Sequence, residues 1–517
     1  MDAAAYAPSP AEPAPLRGGA LMLAGFLLAV GNFMVVLDMT IANVSVPNIA
    51  GGLAVSPSQG TWVITSYSVA EAIVVPLTGW LSARFGAVRV FVAGMTGFGI
   101  FSALCGFAPS LSLLVTFRVM QGLCGGPIMP MSQTLMMRVF PPDQRGQAMG
   151  LWSMTTVVAP IAGPILGGVL CDTAGWPWVF FINVPVAAIC GFFAWRMLAA
   201  HETATENRPI DYAGLALLIL FVGSMQIMLD KGRELDWFGS PVIVALAATA
   251  AIGFVAFLIW ELTDAHPIVD LRVFRHRGFT GAVVTLAVAF GAFFASIVLG
   301  PLWLQTNMGY TASWAGFTTA LSGVMAVVLS PIVPRLMNRI DPRALVSFGV
   351  LGFGGVALWR AHFASNIDYG TIALTYFVQG IATPFFFVPT TQIALSSVLP
   401  QETASAAGLS NFLRTTSAAF SAAIVTTQWD NASSRNHENI AGALNDPSGT
   451  MTQLMHAGMS KAQALAQIDN LTQSQSVMLG ADQMFFAVAI AFVVAASVVW
   501  LAPKPRLFAG QMGGGGH

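Results

Sequence analysis

Long apolar runs separated by short polar segments fill the chain from about residue 20 onward. A helix needs roughly twenty apolar residues to cross a bilayer, and the chain holds about fourteen runs of that length. The predicted transmembrane helices, spans one to fourteen, are 20–41, 59–82, 89–107, 112–135, 147–170, 178–199, 210–229, 241–261, 279–304, 312–333, 344–362, 370–394, 403–427 and 481–501. This pattern predicts an all-α polytopic membrane protein.

Sequence echoes at a nearly constant offset divide these runs into two similar sets. Six spans with short loops take roughly 180–190 residues, so an offset of 258 leaves room for two inserted helices, spans seven and eight. Such halves are typical of transporters that bind a substrate between two lobes and rock one against the other. The echoes are 121–122 with 379–380 and 148–151 with 406–409, both at 258, and 81–85 with 336–340 at 255.

The predicted organisation follows from these runs and echoes. It comprises a disordered cytoplasmic N-terminus at 1–19, an N-terminal six-helix lobe at 20–199, two inserted transmembrane helices with linkers at 200–270, a C-terminal six-helix lobe at 271–501 that carries a long periplasmic loop at 428–480, and a cytoplasmic tail at 502–517. Within that loop, 451–468 has apolar residues near helical spacing and predicts a short surface helix. With both termini in the cytoplasm, most of the 22 Lys and Arg residues fall inside, as membrane proteins prefer.

Composition narrows the class of function. The chain is 56% hydrophobic and 9% charged, whereas a soluble domain carries about 25% charge. The net charge of -1 gives no reason to expect nucleic acid as a partner. The four cysteines lie in or beside apolar runs without metal or disulfide spacing. No nucleotide-binding loop or metal-protease helix is recognisable, so we expect no cofactor, no metal and no enzymatic activity, and an ion gradient as the energy source.

Asp38 is a candidate proton carrier near the outer end of span one. A carboxylate at membrane depth is costly and usually faces a water-filled cavity or a charged partner. Arg118, in span four, is predicted at a similar depth, and the equivalent position in the second half is Tyr376. An arginine keeps its proton but can tune a nearby acid, so we predict that Arg118 couples to Asp38. The alternatives are an interfacial helix-end acid and an arginine that binds backbone carbonyls.

Two further charges lie near the middle of predicted spans. Glu71 is in span two and Arg414 is in span thirteen. Either a direct pair joins them across the two lobes, or Glu71 alone acts as a second protonatable or cation-attracting site.

Aromatic and polar residues in the spans are candidates for a central substrate cavity. A broad-specificity site for apolar cations would combine such rings with one or two acids, although packing is the simpler explanation for any single one. The candidates are Asn32, Trp62, Tyr67, Gln121, Gln133, Trp152, Trp303, Phe385, Phe386, Gln392, Asn411 and, as a charged member, Arg414.

Two glycine-containing motifs predict close helix contacts and a gate. Span five is rich in glycine and proline, which bend helices and admit close neighbours. The segment after span two, 79–89, combines glycines with arginines that can hold helix-end carbonyls or a carboxylate on the facing lobe. The motif residues are Gly150, Pro160, Gly163, Pro164, Gly167 and Gly168 in span five, and Gly79, Arg84, Gly86 and Arg89 after span two.

These motifs resemble the major facilitator superfamily, specifically EmrB-type multidrug exporters in its fourteen-span drug:proton antiporter branch. Residues 37–47 resemble the first-span signature of that branch, Arg118 with Gln121-Gly122 its span-four motif, and 150–168 its antiporter motif. The segment 79–89 is similar to the gating motif, but Ala83 stands where many members have an aspartate. The resemblance extends over 58–66, 180–185, 227–232, 235–238, 260–264 and the glycine-rich C-terminus.

The resemblance implies export of amphiphilic drugs in exchange for protons across the bacterial inner membrane, with Arg118 assigned to proton coupling. It also implies a periplasmic adaptor of the EmrA type and, through that adaptor, an outer-membrane channel of the TolC type. One alternative keeps the fold and exports a single metabolite or siderophore. Another is a membrane receptor or scaffold without transport, because a fold alone does not prove flux.

Overall fold

The computed structural model describes residues 16–142, 144–207, 209–337, 339–365, 367–443 and 446–503. Most of the predicted disordered N-terminus and most of the predicted tail lie outside these ranges. Within them the regular structure is helical, and helices occupy all of the predicted span positions. The spans begin and end at Gly18–Gly52, Trp62–Phe85, Ala87–Gly106, Leu111–Val139, Arg145–Thr173, Trp178–Leu198, Tyr212–Lys231, Pro241–Thr263, Arg277–Thr306, Ala312–Met337, Pro342–Arg360, Tyr369–Ser396, Thr403–Ala443 and Lys461–Val498.

Several spans contain breaks. Span two has a 3-10 turn at Val75–Leu77, and span four is interrupted between Gly125 and Ile128. Span six consists of Trp178–Phe181 and Asn183–Leu198. Span ten consists of Ala312–Leu329 and Val333–Met337. Shorter helices elsewhere are Pro57–Gly60, Ala199–His201, Trp237–Gly239, Leu271–Arg275, Pro400–Glu402, Pro447–His456 and Val499–Leu501.

Most of these helices suit a membrane by length and composition. Among the described residues, 11 helices are long and apolar enough to cross a bilayer, and the bent span five makes a twelfth. Span ten falls short in length, and span thirteen is diluted by small and polar residues. The prediction of an all-α polytopic membrane protein is confirmed.

The segment predicted as a long polar loop, 428–480, is largely helical. Span thirteen continues to Ala443, and span fourteen already begins at Lys461, with the helix Pro447–His456 between them. The predicted surface helix at 451–468 is instead interrupted between His456 and Lys461. The extensions persist as helices because they pack against each other, and the Trp429 indole donates to the Val477 carbonyl at 3.0 Å.

Helix packing follows the order of the two halves. Span one packs against spans five and six, and span three packs against spans four and six. In the second half, span nine packs against spans thirteen and fourteen, and span eleven against spans twelve and fourteen. Span five contacts spans ten and twelve, and spans two and four contact span thirteen, so these helices form the interface between the first six and the last six spans. Spans seven and eight pack on each other, and span seven also contacts span two.

Candidate functional site

Asp38 and Arg118 form an ion pair in the interior of the first six spans. The guanidinium Nη1 lies 2.6 Å from the Asp38 carboxylate, and each side chain is 1% exposed. Arg118 also donates from Nε to the Val63 carbonyl at 3.0 Å and from Nη1 to the Gln121 amide oxygen at 2.9 Å. Its guanidinium carbon lies 4.2 Å from the centre of the Tyr67 ring. The pair therefore combines charge, hydrogen bonds and a cation–π contact in one buried cluster.

The second oxygen of Asp38 accepts two more hydrogen bonds. Asn183 Nδ2 donates to it at 2.7 Å, and Gln121 Nε2 donates at 3.3 Å. Asn183 also donates to the Ser102 hydroxyl at 3.1 Å, and that hydroxyl donates to the Phe180 carbonyl at 2.8 Å. Sequence reasoning selected other span amides, such as Asn32 and Gln121, but missed Asn183 because nothing in the local sequence shows that it meets Asp38 of span one. Its only trace was the resemblance carried by 180–185.

The local sequence of span four explains why Arg118 meets span two. A Cβ atom at Gly122 would lie 2.6 Å from the Tyr67 carbonyl oxygen, so only glycine allows this approach. Gly125 faces Tyr67 in the same way, with 2.9 Å to the phenol oxygen. Small residues at an interface bring helix backbones together in membranes. The motif of Arg118, Gln121 and Gly122 therefore sets both the chemistry and the spacing of this contact.

The buried pair is costly to disrupt. Taking two charges out of water is expensive, and removal of one partner from a buried pair typically costs 3–5 kcal/mol because the other charge is left uncompensated. Arg118 Nη2 is buried without a hydrogen-bond partner in the described residues. The burial of this nitrogen adds to the desolvation cost that the contact with Asp38 must offset.

Glu71 and Arg414 do not form the direct pair that was one of the two predicted alternatives. Both side chains are buried, and they interact electrostatically. In the part of the chain that the structure describes, no ion pair or hydrogen bond joins them. The Arg414 guanidinium instead contacts the Met129 sulfur and lies 5.4 Å from the Trp152 ring centre and 5.3 Å from that of Phe290.

A small cavity lies between span four and the last six spans. Its lining residues are Gln133, Leu286, Phe387, Thr391, Ala394, Leu395, Ser410, Asn411 and Arg414. Asn411 donates to Gln133 across the interface at 2.6 Å. Buried polar atoms without a partner in the described residues are found here on Ser410 and Arg414 and nearby on Gln392. Since buried polar groups are normally hydrogen-bonded, this cavity presents unused capacity to bind a polar group.

Other predicted cavity residues lie elsewhere. Trp303 packs against Phe363 in the second half, at 5.9 Å between ring centres. Trp62 is 39% exposed at the start of span two, 5.5 Å from the Lys231 ammonium. Asn32 donates to Thr155 of span five at 2.8 Å, within the first half.

Phe385 and Phe386, two of the predicted cavity residues, lie two positions and one position before the phenylalanine that lines this cavity. Phe385 packs on Phe348 and Phe386 on Phe353, so both rings face span eleven. The cavity-lining phenylalanine is Phe387. Successive residues of an α-helix point about 100° apart, so a small error in the assumed face moves a ring out of the cavity.

Trp152 and Gln392 lie beside the cavity. The indole of Trp152 donates to the Ser132 hydroxyl at 2.9 Å while its ring faces Arg414. The Gln392 amide oxygen lies 3.1 Å from where a Cβ atom of Gly146 would be, next to span five.

The span-five motif bends its helix and brings it close to span one. The axis turns by 44° between Arg145–Pro160 and Ala162–Thr173, a bend that the ring of Pro160 and that of Pro164 explain. A Cβ atom on Gly163 would lie 3.0 Å from the Thr40 carbonyl carbon. A Cβ atom on Gly167 would lie 3.3 Å from the Ile41 carbonyl oxygen. On Gly150 it would lie 3.1 Å from the Ser330 carbonyl oxygen of span ten. A Cβ atom on Gly168 would meet nothing within 4 Å.

The gating segment contacts both halves of the protein. A Cβ atom on Gly79 would lie 2.9 Å from the Ser405 Cα of span thirteen, so the helices touch through this glycine. Gly86 adopts φ of +92°, a conformation that favours glycine and ends span two. The Arg84 guanidinium lies over the Trp80 and Phe85 rings.

A carboxylate from the linker after span six meets this segment. Glu202 accepts from the backbone N–H groups of Val88 at 2.9 Å and Arg89 at 3.0 Å. It therefore satisfies free donors at the start of span three and compensates the positive end of the helix. At Ala83, where many family members have an aspartate, the carbonyl accepts from the Glu206 N–H at 2.7 Å.

Comparisons with known proteins show the family of the chain. Residues 28–422 match the model of the Major Facilitator Superfamily. The chain is 44% identical over 508 residues to multidrug export protein EmrB of Escherichia coli (strain K12), covering 97% of this chain and 99% of that protein. It is 43% identical over 507 residues to fatty acid resistance protein FarB of Neisseria gonorrhoeae, with the same coverage of 97% and 99%.

A solved structure supports the fold. The human organic anion transporter MFSD10 (TETRAN) superposes with a TM-score of 0.56 at 14% identity, covering 93% of this chain and 100% of that one. The likeness at this identity concerns the fold alone. The family model and the extent of identity together show that the chain belongs to the major facilitator superfamily, as a transporter similar to its EmrB-type multidrug exporters.

Proposed function

We propose that this protein is a proton-coupled antiporter that exports hydrophobic toxic compounds across the bacterial inner membrane by alternating access. The observation that carries the proposal is the buried pair of Asp38 and Arg118. An ionisable group inside a membrane bundle is costly and is typical of proton relays. The pair lies in one half, and the polar cavity lies at the interface between the halves.

Proton exchange follows from the contacts of Asp38. The ionised carboxylate is held by Arg118, Gln121 and Asn183. A proton on Asp38 removes the charge that Arg118 compensates, so protonation and the arrangement of span four become linked. Glu71, buried in span two, is the second candidate for proton binding.

The substrate would bind at the cavity between span four and the last six spans, which is small in this conformation and must widen to take a drug-sized molecule. Phe387 and Leu286 offer apolar surface, and Arg414, Ser410 and Asn411 offer polar groups. Apolar walls with a few polar groups are typical of ligand sites. Rocking of the first six against the last six spans would open this cavity to either side. The glycine contacts of Gly79 with span thirteen and Gly150 with span ten would act as the gates.

The proposed orientation has both termini in the cytoplasm, with lobes at 20–199 and 271–501 and the inserted pair at 200–270. The helical extensions of spans thirteen and fourteen then project into the periplasm. We propose an EmrA-type adaptor and, through it, a TolC-type outer-membrane channel as partners. The support is that the chain is 44% and 42% identical, over 97% and 95% of its length, to two relatives named EmrB.

Drug-induced proton release in reconstituted vesicles under an imposed pH gradient tests the proposal, with wild type beside Asp38→Asn. We expect wild type to exchange protons for several unrelated apolar drugs, and Asp38→Asn to bind drug without exchange. Normal exchange by Asp38→Asn would transfer the proton-binding role to Glu71 or another group. Exchange with a single metabolite only would favour the dedicated exporter, and the absence of proton flux with every drug, with adaptor present, would overturn the antiporter.

A further inference from the structure

The amide of Asn183 is at the centre of a directional chain of hydrogen bonds that ends on Asp38. The Ser102 hydroxyl donates its only proton to the Phe180 carbonyl, at 2.8 Å, so it can only accept from Asn183. Asn183 Nδ2 therefore donates one hydrogen to Ser102, at 3.1 Å, and the other to Asp38, at 2.7 Å. Every donor in this chain is used, and the chain is complete only if Asp38 accepts.

The chain originates at the break in span six. Phe180 lies in the short helix Trp178–Phe181, and Asn183 begins the helix Asn183–Leu198. The Phe180 carbonyl lies at this break, and the Ser102 hydroxyl of span three donates to it at 2.8 Å. Both Asn183 and Ser102 are buried, at 1% and 0% exposure, so water does not compete for these bonds.

From these contacts we propose that Asn183 is a positioning residue for proton coupling, which donates to the Asp38 carboxylate and links its protonation to the two segments of span six. This inference rests on the proposed antiport. Arg118 donates to one oxygen of Asp38 and Asn183 donates to the other, so a proton on either oxygen meets a donor. Protonation therefore either weakens the bond from Asn183 or displaces one of the two donors, whereas the ionised carboxylate accepts from both.

The other titratable groups near Asp38 stay in place when Asn183 is changed. Within the described residues, those in electrostatic contact with Asp38 are Arg118 of span four, Tyr67 and Glu71 of span two, and Cys105 of span three. Among the described residues, the side-chain hydrogen bonds of Asn183 go to Asp38 and Ser102 and not to any of these groups. A change at Asn183 therefore removes one donor to Asp38 and leaves the ion pair with Arg118 intact.

The test measures proton binding at Asp38 in Asn183→Leu and Asn183→Asp. The pH midpoint of drug–proton exchange is recorded in vesicles. Infrared spectroscopy follows the carbonyl-stretch band of protonated Asp38. The spectrum of the same protein with Asp38→Asn added is subtracted, for wild type and for each variant of Asn183. A hydrogen bond to a charged group contributes about 1.5–3 kcal/mol, so its loss in Asn183→Leu should raise both midpoints by about one pH unit or more.

Asn183→Asp gives a second, nearly isosteric test. Two carboxylates at this distance cannot both ionise, so the pair should retain a proton to still higher pH than Asn183→Leu. Asn470→Asp, on the exposed extension of span fourteen, makes the same chemical change far from Asp38 and should leave both midpoints unchanged.

The outcomes separate this inference from the antiport proposal. Midpoints that stay at the wild-type value in both variants, with only a lower melting temperature, would show a purely structural role and overturn the inference. If wild type exchanges no protons, the antiport proposal fails, but a shifted infrared midpoint would still establish that Asn183 controls Asp38. If Asn183→Leu does not fold, Asn183→Asp decides the matter alone.

Discussion

The Asn411 amide of span thirteen donates to the Gln133 side chain of span four at 2.6 Å, and this bond crosses the interface between the two halves. Both residues are buried and line the same cavity as Arg414. Because the two helices belong to different halves, any rocking motion that separates them must break this bond. A ligand in the cavity would compete with it.

We expect Gln133 and Asn411 to be energetically coupled. Replacement of either by Leu leaves the other buried without its partner, at a cost of about 1–3 kcal/mol, whereas the double variant loses both partners together. In a double-mutant cycle of unfolding in detergent, the double variant should therefore be more stable than the sum of the single effects by about 1 kcal/mol. The hydrogen-bonded pair Asn32 and Thr156, which lies within the first half, is the control for effects on drug affinity.

The affinity for drug should distinguish the pair Gln133 and Asn411 from the pair Asn32 and Thr156. Variants of Gln133 and Asn411 should change the affinity for drug, because both residues line the cavity, and variants of Asn32 and Thr156 should not. Strict additivity in the first pair, or equal effects of both pairs on drug affinity, would contradict the assignment.

The two glycines Gly163 and Gly168 should respond differently to the same substitution. Gly163→Ala places a methyl group 3.0 Å from the backbone of Thr40, which cannot move without shifting span one. We expect a loss of about 1–3 kcal/mol in the free energy of unfolding and reduced transport. Gly168→Ala meets nothing within 4 Å and should be neutral or slightly stabilising. Equal effects of the two variants on the melting temperature and transport would refute the packing argument.

The segment between spans seven and eight contacts both halves. We call this segment, residues 231–240, the strap. The Lys231 ammonium donates to the Thr61 hydroxyl of span two at 2.8 Å. The Trp237 indole donates to Thr427 of span thirteen at 2.9 Å, from a backbone with positive φ at Asp236 and Trp237. Such backbone strain persists only where surrounding contacts impose it.

Cross-linking tests whether the strap must move. Arg233 and Asp430 form an exposed ion pair at 2.7 Å between the strap and span thirteen. Cysteines at these two positions, in a background without the native cysteines, should react with a short bifunctional thiosulfonate. We expect the linked protein to lose transport, to bind drug normally and to recover with reductant. Full transport by the linked protein would show that the strap and span thirteen move as one unit.

Asp368 should make the stability of span twelve depend on pH. Its carboxylate accepts from the Thr371 N–H at 2.9 Å and from the Thr371 hydroxyl at 2.7 Å, and these bonds hold the pKa of Asp368 below its usual value. The resulting stabilisation is present above the unfolded pKa of about 3.9 and is lost as the pH falls through the folded value. Melting temperatures at pH 7 and below pH 4 should therefore differ more for wild type than for Asp368→Asn. An identical pH dependence in both proteins would exclude this role.

The second half contains a buried cation that the sequence did not reveal. Arg360, the last residue of span eleven, is 2% exposed and lies 3.9 Å from the Tyr376 ring centre. Tyr376 occupies the position equivalent to Arg118, whose guanidinium lies over Tyr67. Arg360 donates to Thr375, and in the described residues it has no ion pair. Each half therefore has an arginine guanidinium over a tyrosine ring. Among the described residues, the arginine of the first half is paired with an acid and that of the second half is not.

The sequence by itself determined the positions and order of the helices, because a chain in lipid must satisfy its backbone hydrogen bonds within helices. It also identified Asp38 and Arg118, since charges at membrane depth are rare. Only the tertiary structure decided what is near them. The amide of Asn183 has no sequence signal, the register of Phe387 depends on a small rotation of span twelve, and the helical extension beyond residue 427 depends on contacts between spans thirteen and fourteen. Each of these features is fixed by packing between segments distant in the chain, which local pattern cannot encode.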